Sequence, residues 1–122
     1  MASLDEFRAF ALSLPKVVEK PHFDRTSFRV DAPKGKIFAT MPANGESANL
    51  MLSRDEQDML CAAEPALFTP VPNKWGEKGA TVFHFPKADS ATLHSALTLA
   101  WKRAAPERLW GELTLEPQKP GI

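Results

Sequence analysis

Apolar residues recur along this chain at two periods, and the switches between them divide it into elements. In "SLDEFRAFALSLP" the apolar positions Leu4, Phe7, Ala11 and Leu14 share one face at helical spacing. Ser3 precedes them with Glu6 three residues on, a capping-box pattern. Pro15 ends the helix, because the residue before a proline is biased out of helical backbone. Alternation takes over in "TSFRV", with Phe28 and Val30 against Ser27 and Arg29, and in "KIFAT" and "ANLMLS". "VVEKPHF" can pair as a first strand, confined to an edge by Pro21. "DAPKGK" and "PANGES" supply the turns, the second through Asn44-Gly45, a dipeptide that tolerates positive φ. The pattern predicts an antiparallel meander of three or four strands.

Helical spacing returns in "SRDEQDMLCAAE", where Ser53 and Glu56 again form a capping pattern and early acids suit the helix N-terminus. Met59, Leu60 and Ala63 give it a modest apolar face before Pro65. "ALFTPVP" reads as extended and "NKWGEKG" as a loop. "ATVFHFP" reads as a strand with Phe83 and Phe85 on one face. A last long helix spans about Ser90 to Ala104 on the stripe Leu93, Leu97, Ala100 and Ala104. "ERLWGEL" forms a further short helical turn, and the polar end "EPQKPGI" is expected to fray. The order α-β(3-4)-α-β-α implies an α+β fold: two layers, a mainly antiparallel sheet with helices packed on one face. One domain over residues 1–113 and a tail over 114–122 follow, with no internal repeat or long linker.

Composition narrows the class. At 122 residues the chain fits one core, with 43% hydrophobic and 25% charged residues. No apolar run reaches the roughly 18 residues of a membrane span, and "MASLDEFRAF" does not read as a secretory signal. The single cysteine, Cys61, excludes an intrachain disulfide framework and points to a reducing, cytoplasmic location. Fifteen basic and fifteen acidic residues cancel, which weighs against a protein holding duplex DNA mainly by net charge. The charge is nevertheless uneven. Lys20, Arg25, Arg29, Lys34 and Lys36 face only Asp24 and Asp31 over their stretch, whereas acid gathers at Asp55, Glu56, Asp58 and Glu64.

No catalytic set emerges, and no cofactor is expected. His22, His84 and His94 lack metal-ligand spacing. His84 is expected at an outward strand position and His94 on a helix surface. Cys61 sits among acids on a helix, where burial and negative charge raise a thiol pKa, so it reads as structural. Gly76 and Gly79 fit no nucleotide-binding pattern. Two clusters remain. In "PHFDRTSFRV", Arg25 and Arg29 suit phosphate contacts, but surface pairing with Asp24 or Asp31 is the simpler expectation. His22, Asp24 and Arg25 are the one grouping that a small-molecule pocket could use. In "NKWGEKG", Lys74 and Lys78 flank Trp75, which either stacks on bases or folds back over the core; the latter is expected.

Taken in series, "ALSLPKVVEKPHFDRTSFRV", "KIFATM", "ANLMLS", "PVPNKWGEKGATVF" and "AWKRAAPERL" resemble the MmcQ/YjbR family from about Phe7 to Leu113. The resemblance implies a small bacterial α+β domain, similar to the fold of secretion chaperones and to the frataxin-like shape. It also implies DNA binding by a double-wing arrangement of hairpin loops, and no agreed enzymatic activity. The contacts would be Lys34, Lys36, Lys74, Trp75 and Lys78, with Arg25 and Arg29 alongside. One departure matters: many relatives end the loop in Gly-Trp-Thr, where this chain has Gly79-Ala80-Thr81. The expected partners are DNA or a protein, with no membrane, for a monomer or weak dimer.

Overall fold

Ser3, Ser53 and Asp89 each start a helix by accepting a hydrogen bond from a backbone N–H three residues on. The computed structural model describes residues 2–42 and 45–113. The tail at 114–122 and Asn44 of the Asn44-Gly45 turn lie outside them; Gly45 itself has φ +64°. The helices are α1 (Leu4–Ser13), α2 (Arg54–Ala63), a one-turn α3 (Lys74–Glu77) and α4 (Ser90–Ala104). Two 3₁₀ turns, Phe85–Lys87 and Glu107–Glu112, flank α4. Ser53 and Glu56 complete a reciprocal capping box on α2. On α1 only the Ser3 half forms, because the Glu6 carboxylate instead accepts from Ser90 Oγ across the α1–α4 contact. The Asp89 carboxylate is held below its ordinary pKa by the N–H of Thr92 that it caps.

The strands are β1 (Val17–His22), β2 (Arg25–Val30), β3 (Ile37–Pro42), β4 (Ala48–Met51), β5 (Phe68–Pro70) and β6 (Ala80–Phe83). They form one antiparallel sheet in the order β1-β2-β3-β4-β6-β5. The expected meander is thus four strands long. The segment read only as extended adds β5, the edge strand beside β6. Pro21 and Pro70 both fall on edge strands, where a missing N–H costs no interior ladder bond. Phe85 does not continue β6. It opens a 3₁₀ turn with Pro86 and still buries its ring fully.

Cross-strand partners share a face, so the register sorts side chains into two layers. Phe28 opposite Ala39, Ala39 opposite Leu50, and Phe68 opposite Phe83 turn toward the helices. There α4 crosses β2, β3 and β4, α1 lies over β1, and α2 lies over β5 and β6. Phe7 of α1 meets Phe28 and Phe85, and Phe68 stacks on Phe83. Each such fully buried side chain contributes about 1.5–3 kcal/mol of transfer free energy. Trp101 of α4 is fully buried too, and its indole N–H donates to the Pro15 carbonyl at 3.0 Å. The helix layer therefore covers one face of the sheet, and the architecture is the two-layer α+β arrangement.

Candidate functional site

Among the described residues no helix packs on the second sheet face, which carries mainly polar side chains with Val18, Ile37 and Val82 among them. Val18 opposite Arg29, Lys20 opposite Ser27, and His22 opposite Arg25 all project there, followed by Thr40 and Asn49 on β3 and β4. No carboxylate occupies these positions. Glu19, the acid of β1, lies on the helix side. There it takes a two-pronged contact from Arg8 of α1, Nε to Oε1 at 3.0 Å and Nη2 to Oε2 at 3.1 Å. Its hydrogen bonds, then its charge, raise the Arg8 pKa above the ordinary value. Thr26 Oγ1 donates to the same carboxylate at 3.1 Å.

The arginines of β2 do not form the ion pairs expected with Asp24 and Asp31. Arg25 lies across β3 and donates to Thr40 Oγ1 at 3.1 Å and to the Thr40 carbonyl at 3.3 Å. The β2–β3 register places this partner within reach, whereas Asp24 occupies the hairpin tip. Arg29 is half-buried and has no carboxylate partner among the described residues. His22, Asp24 and Arg25 do not line either of two recesses that the described residues form beside the helices.

Strand directions decide where the two basic loops go. The β2–β3 loop (residues 31–36) leads into β3, and residues 71–79 lead into β6. Because β3 and β6 each run antiparallel to β4, both loops open at the same end of the sheet. Lys34, Lys36, Lys74 and Lys78 are all exposed, and none has an acidic partner among the described residues. The backbone N–H of Lys36 donates to the Ala104 carbonyl at 3.2 Å, which brings the end of α4, with Lys102 and Arg103, to the same loop. Those two cations were legible in "AWKRAAPERL", but their placement depends on a contact between distant segments.

The segment expected to be a loop is a built structure. Asn73 caps α3 by accepting from the Trp75 N–H at 2.8 Å. Gly76 is buried so tightly that a Cβ there would stand 1.7 Å from the Val71 carbonyl oxygen. Gly79 has φ +120°, and a Cβ would stand 2.0 Å from the Leu52 carbonyl oxygen. Gln57 of α2, 2% exposed, donates through Nε2 to the carbonyls of Gly76 and Ala80, both at 2.9 Å. Trp75 does not cover the core. It is 63% exposed, with Lys78 Nζ 5.5 Å from its ring centroid. The glycine next to it takes the inward position, so the indole is turned out.

The opposite end of the sheet holds a feature that sequence reasoning passed over. Phe23, in the two-residue turn between β1 and β2, has φ +60° and is 92% exposed. His22 meets its ring edge-on at 5.0 Å. The motif "PHFDR" held the signal, but an aromatic beside an alternating strand reads as core by default.

A further recess lies between α1, α2 and α4, an apolar groove of about 860 Å³ lined by Phe10, Leu14, Leu60 and Leu99 among others. His94 stands at its lip, stacked on Phe10 at 4.0 Å with Nε2 3.9 Å from the Glu6 carboxylate. His84 is half-buried just beyond β6 and shares a hydrogen bond with Thr69 Oγ1 at 3.2 Å. Burial, then the charge of Asp58, pushes the Cys61 thiol pKa up, as its sequence neighbours suggested. Among the described residues no three His, Cys, Asp or Glu side chains gather as a metal site, and no helix is long and apolar enough to cross a membrane.

Comparison with known proteins agrees with this geometry at the level of fold and family. The YjbR family model matches residues 12–103. The crystal structure of Deinococcus radiodurans protein DR2400, a DUF419 domain, superposes with a TM-score of 0.66 at 18% identity, covering 92% of this chain and 88% of that one. A search of curated proteins finds no match.

Proposed function

The chain belongs to the YjbR family, and from that premise we propose that it binds DNA weakly through two basic loops at one end of its sheet. The observation that carries this reading is a pair of loops at the same end of the sheet whose exposed lysines have no acidic partner among the described residues, although Asp31 and Glu77 lie on the same loops. The loops are centred about three strand spacings apart, roughly 14 Å, comparable with the roughly 12 Å width of the B-DNA major groove. Lys34 and Lys36 contact one phosphate strand, and Lys74 and Lys78 the other, with the indole of Trp75 against the sugar-phosphate edge. Lys102 and Arg103 extend the first patch. With zero net charge, only these local patches attract phosphate, so affinity is modest and falls steeply with salt.

The test is fluorescence anisotropy of a labelled duplex over a salt series, with Lys34, Lys36, Lys74 and Lys78 all replaced by alanine in a parallel variant. The expected result is weaker binding and a shallower salt dependence, by about 0.9 in log–log slope for each phosphate contact removed. Unchanged binding by the folded variant rejects the reading.

The groove between α1, α2 and α4 supports a second reading, a protein-interaction module. Met59 and Leu12 are exposed on the helices that flank it, and Asp55 and Asp58 stand on α2 with Glu64 at its C-terminal cap. An amphipathic partner helix with basic flanks fits that chemistry. A Leu60→Glu variant that loses a stoichiometric protein partner while keeping duplex affinity would favour this reading.

A further inference from the structure

The sheet face on which no described helix packs, and the hairpin tip beside it, make a surface that the loop reading does not use. Its cations are Lys20, Arg25 and Arg29, and His22 stands next to Arg25 in register. The side chains of Lys20 and Arg29 have no hydrogen-bond or ionic partner among the described residues, and no carboxylate projects from this face. Asp24 shares the hairpin tip with Phe23, and Asp31 follows the far end of β2, so both acids flank the run of Lys20, Arg25 and Arg29 without projecting from the sheet face itself. The face is therefore complementary to an anion that lies along β2.

The tip adds a different chemistry. A phenylalanine in left-handed backbone is disfavoured, because its Cβ crowds the following carbonyl. Such residues persist where surrounding contacts over-determine them, and they cluster at functional positions. Here the hairpin is held on both faces: Thr26 donates to Glu19, Arg25 to Thr40, and Ser27 Oγ to the Lys20 carbonyl at 3.0 Å. This frame holds Phe23 outward with almost its whole ring in solvent. Burial does not account for an aromatic there.

We propose that this surface binds single-stranded nucleic acid, with a base stacked on Phe23 and the backbone phosphates running along β2 over Arg25, Lys20 and Arg29. An aromatic platform beside a cationic track is the combination that holds single strands without reading sequence. Duplex DNA fits poorly, since its bases are already stacked and a ring at the tip reaches none of their faces. The assignment does not depend on the basic loops, which lie at the other end of the sheet.

The experiment measures anisotropy of labelled oligothymidine with the wild-type chain and four variants. Phe23→Gly removes the ring at a position where glycine adopts the observed φ freely, so folding is preserved and a thermal transition verifies it. It is expected to weaken oligothymidine binding about tenfold, while Phe23→Trp retains binding and reports it by indole quenching. The Lys20→Ala, Arg29→Ala double variant is expected to weaken binding and flatten its salt dependence. The four-lysine loop variant keeps oligothymidine binding even where duplex binding is lost. Wild-type affinity in Phe23→Gly overturns the proposal, and so does absence of oligothymidine binding at low salt. If Phe23→Gly loses affinity only for vesicles containing anionic lipid, the surface is a membrane contact and the proposal falls. Loss of duplex binding in the loop variant alone speaks to the loops and not to this face.

Discussion

Two aromatic side chains stand out from opposite ends of the same sheet, and their backbones reach that state in opposite ways. Trp75 is turned out by a segment whose strained positions are glycines: Gly76 takes the inward place and Gly79 the positive φ. Phe23 is turned out by a turn in which the aromatic itself takes the left-handed backbone. The first arrangement is supported from below by the buried amide of Gln57. The second is supported from its flanks by Arg25, Thr26 and Ser27. Exposure of a large ring thus has two routes, one paid for in sequence by glycines and one by strain. Substitutions should act in opposite directions on the two.

The largest expected effect breaks the first arrangement. Gly76→Ala places a methyl against the Val71 carbonyl, a backbone clash that no rotamer change relieves; a loss of about 3 kcal/mol is expected in urea unfolding. Next, Gln57→Leu removes the side-chain donor to the Gly76 and Ala80 carbonyls, which keep only the backbone N–H groups of Gly79 and Val71. It should cost about 2 kcal/mol and speed amide exchange through residues 74–80 more than elsewhere, as hydrogen exchange would reveal. At the other end the sign reverses. Phe23→Gly relieves a left-handed cost of about 1–2 kcal/mol, partly offset by the greater freedom of glycine in the unfolded chain. A net gain of up to about 1 kcal/mol is expected, and a clear loss would mean that the ring is packed after all. The smallest effect concerns α2 as the support of the first arrangement. Cys61 should alkylate with a midpoint above the ordinary thiol pKa in the folded protein. Asp58→Asn should lower that midpoint less than unfolding does, because burial is the larger cause.

The comparison also separates what was legible in the sequence from what was not. Ser3, Ser53 and Pro15 mark helix boundaries through local chemistry, and the alternation in "TSFRV" and "KIFAT" follows from the period of a strand, so these elements were readable. Their assembly into an α+β sandwich with one covered face followed from the same periods. The path of "NKWGEKG" was not readable, because it depends on Gln57, nineteen residues upstream of Gly76, and on the carbonyl of Val71. The direction of Trp75 came out reversed for that reason. Arg25 and Arg29 were read against their sequence neighbours, whereas their surroundings are set by strands across the sheet. Lys34, Lys36, Lys74 and Lys78 could be picked out as a set, but their common end of the molecule follows only from strand order.

The two prolines of the outer strands have a consequence for how copies of this protein can meet. An exposed strand edge is a template on which a second chain can extend the hydrogen-bond ladder, the first step toward edge-joined aggregates. Pro21 interrupts that template along β1 and Pro70 along the three-residue β5. Neither margin offers an unbroken row of donors, so the sheet ends where the fold ends. Crowded copies are steered away from continuous β-stacking and toward contacts through their faces.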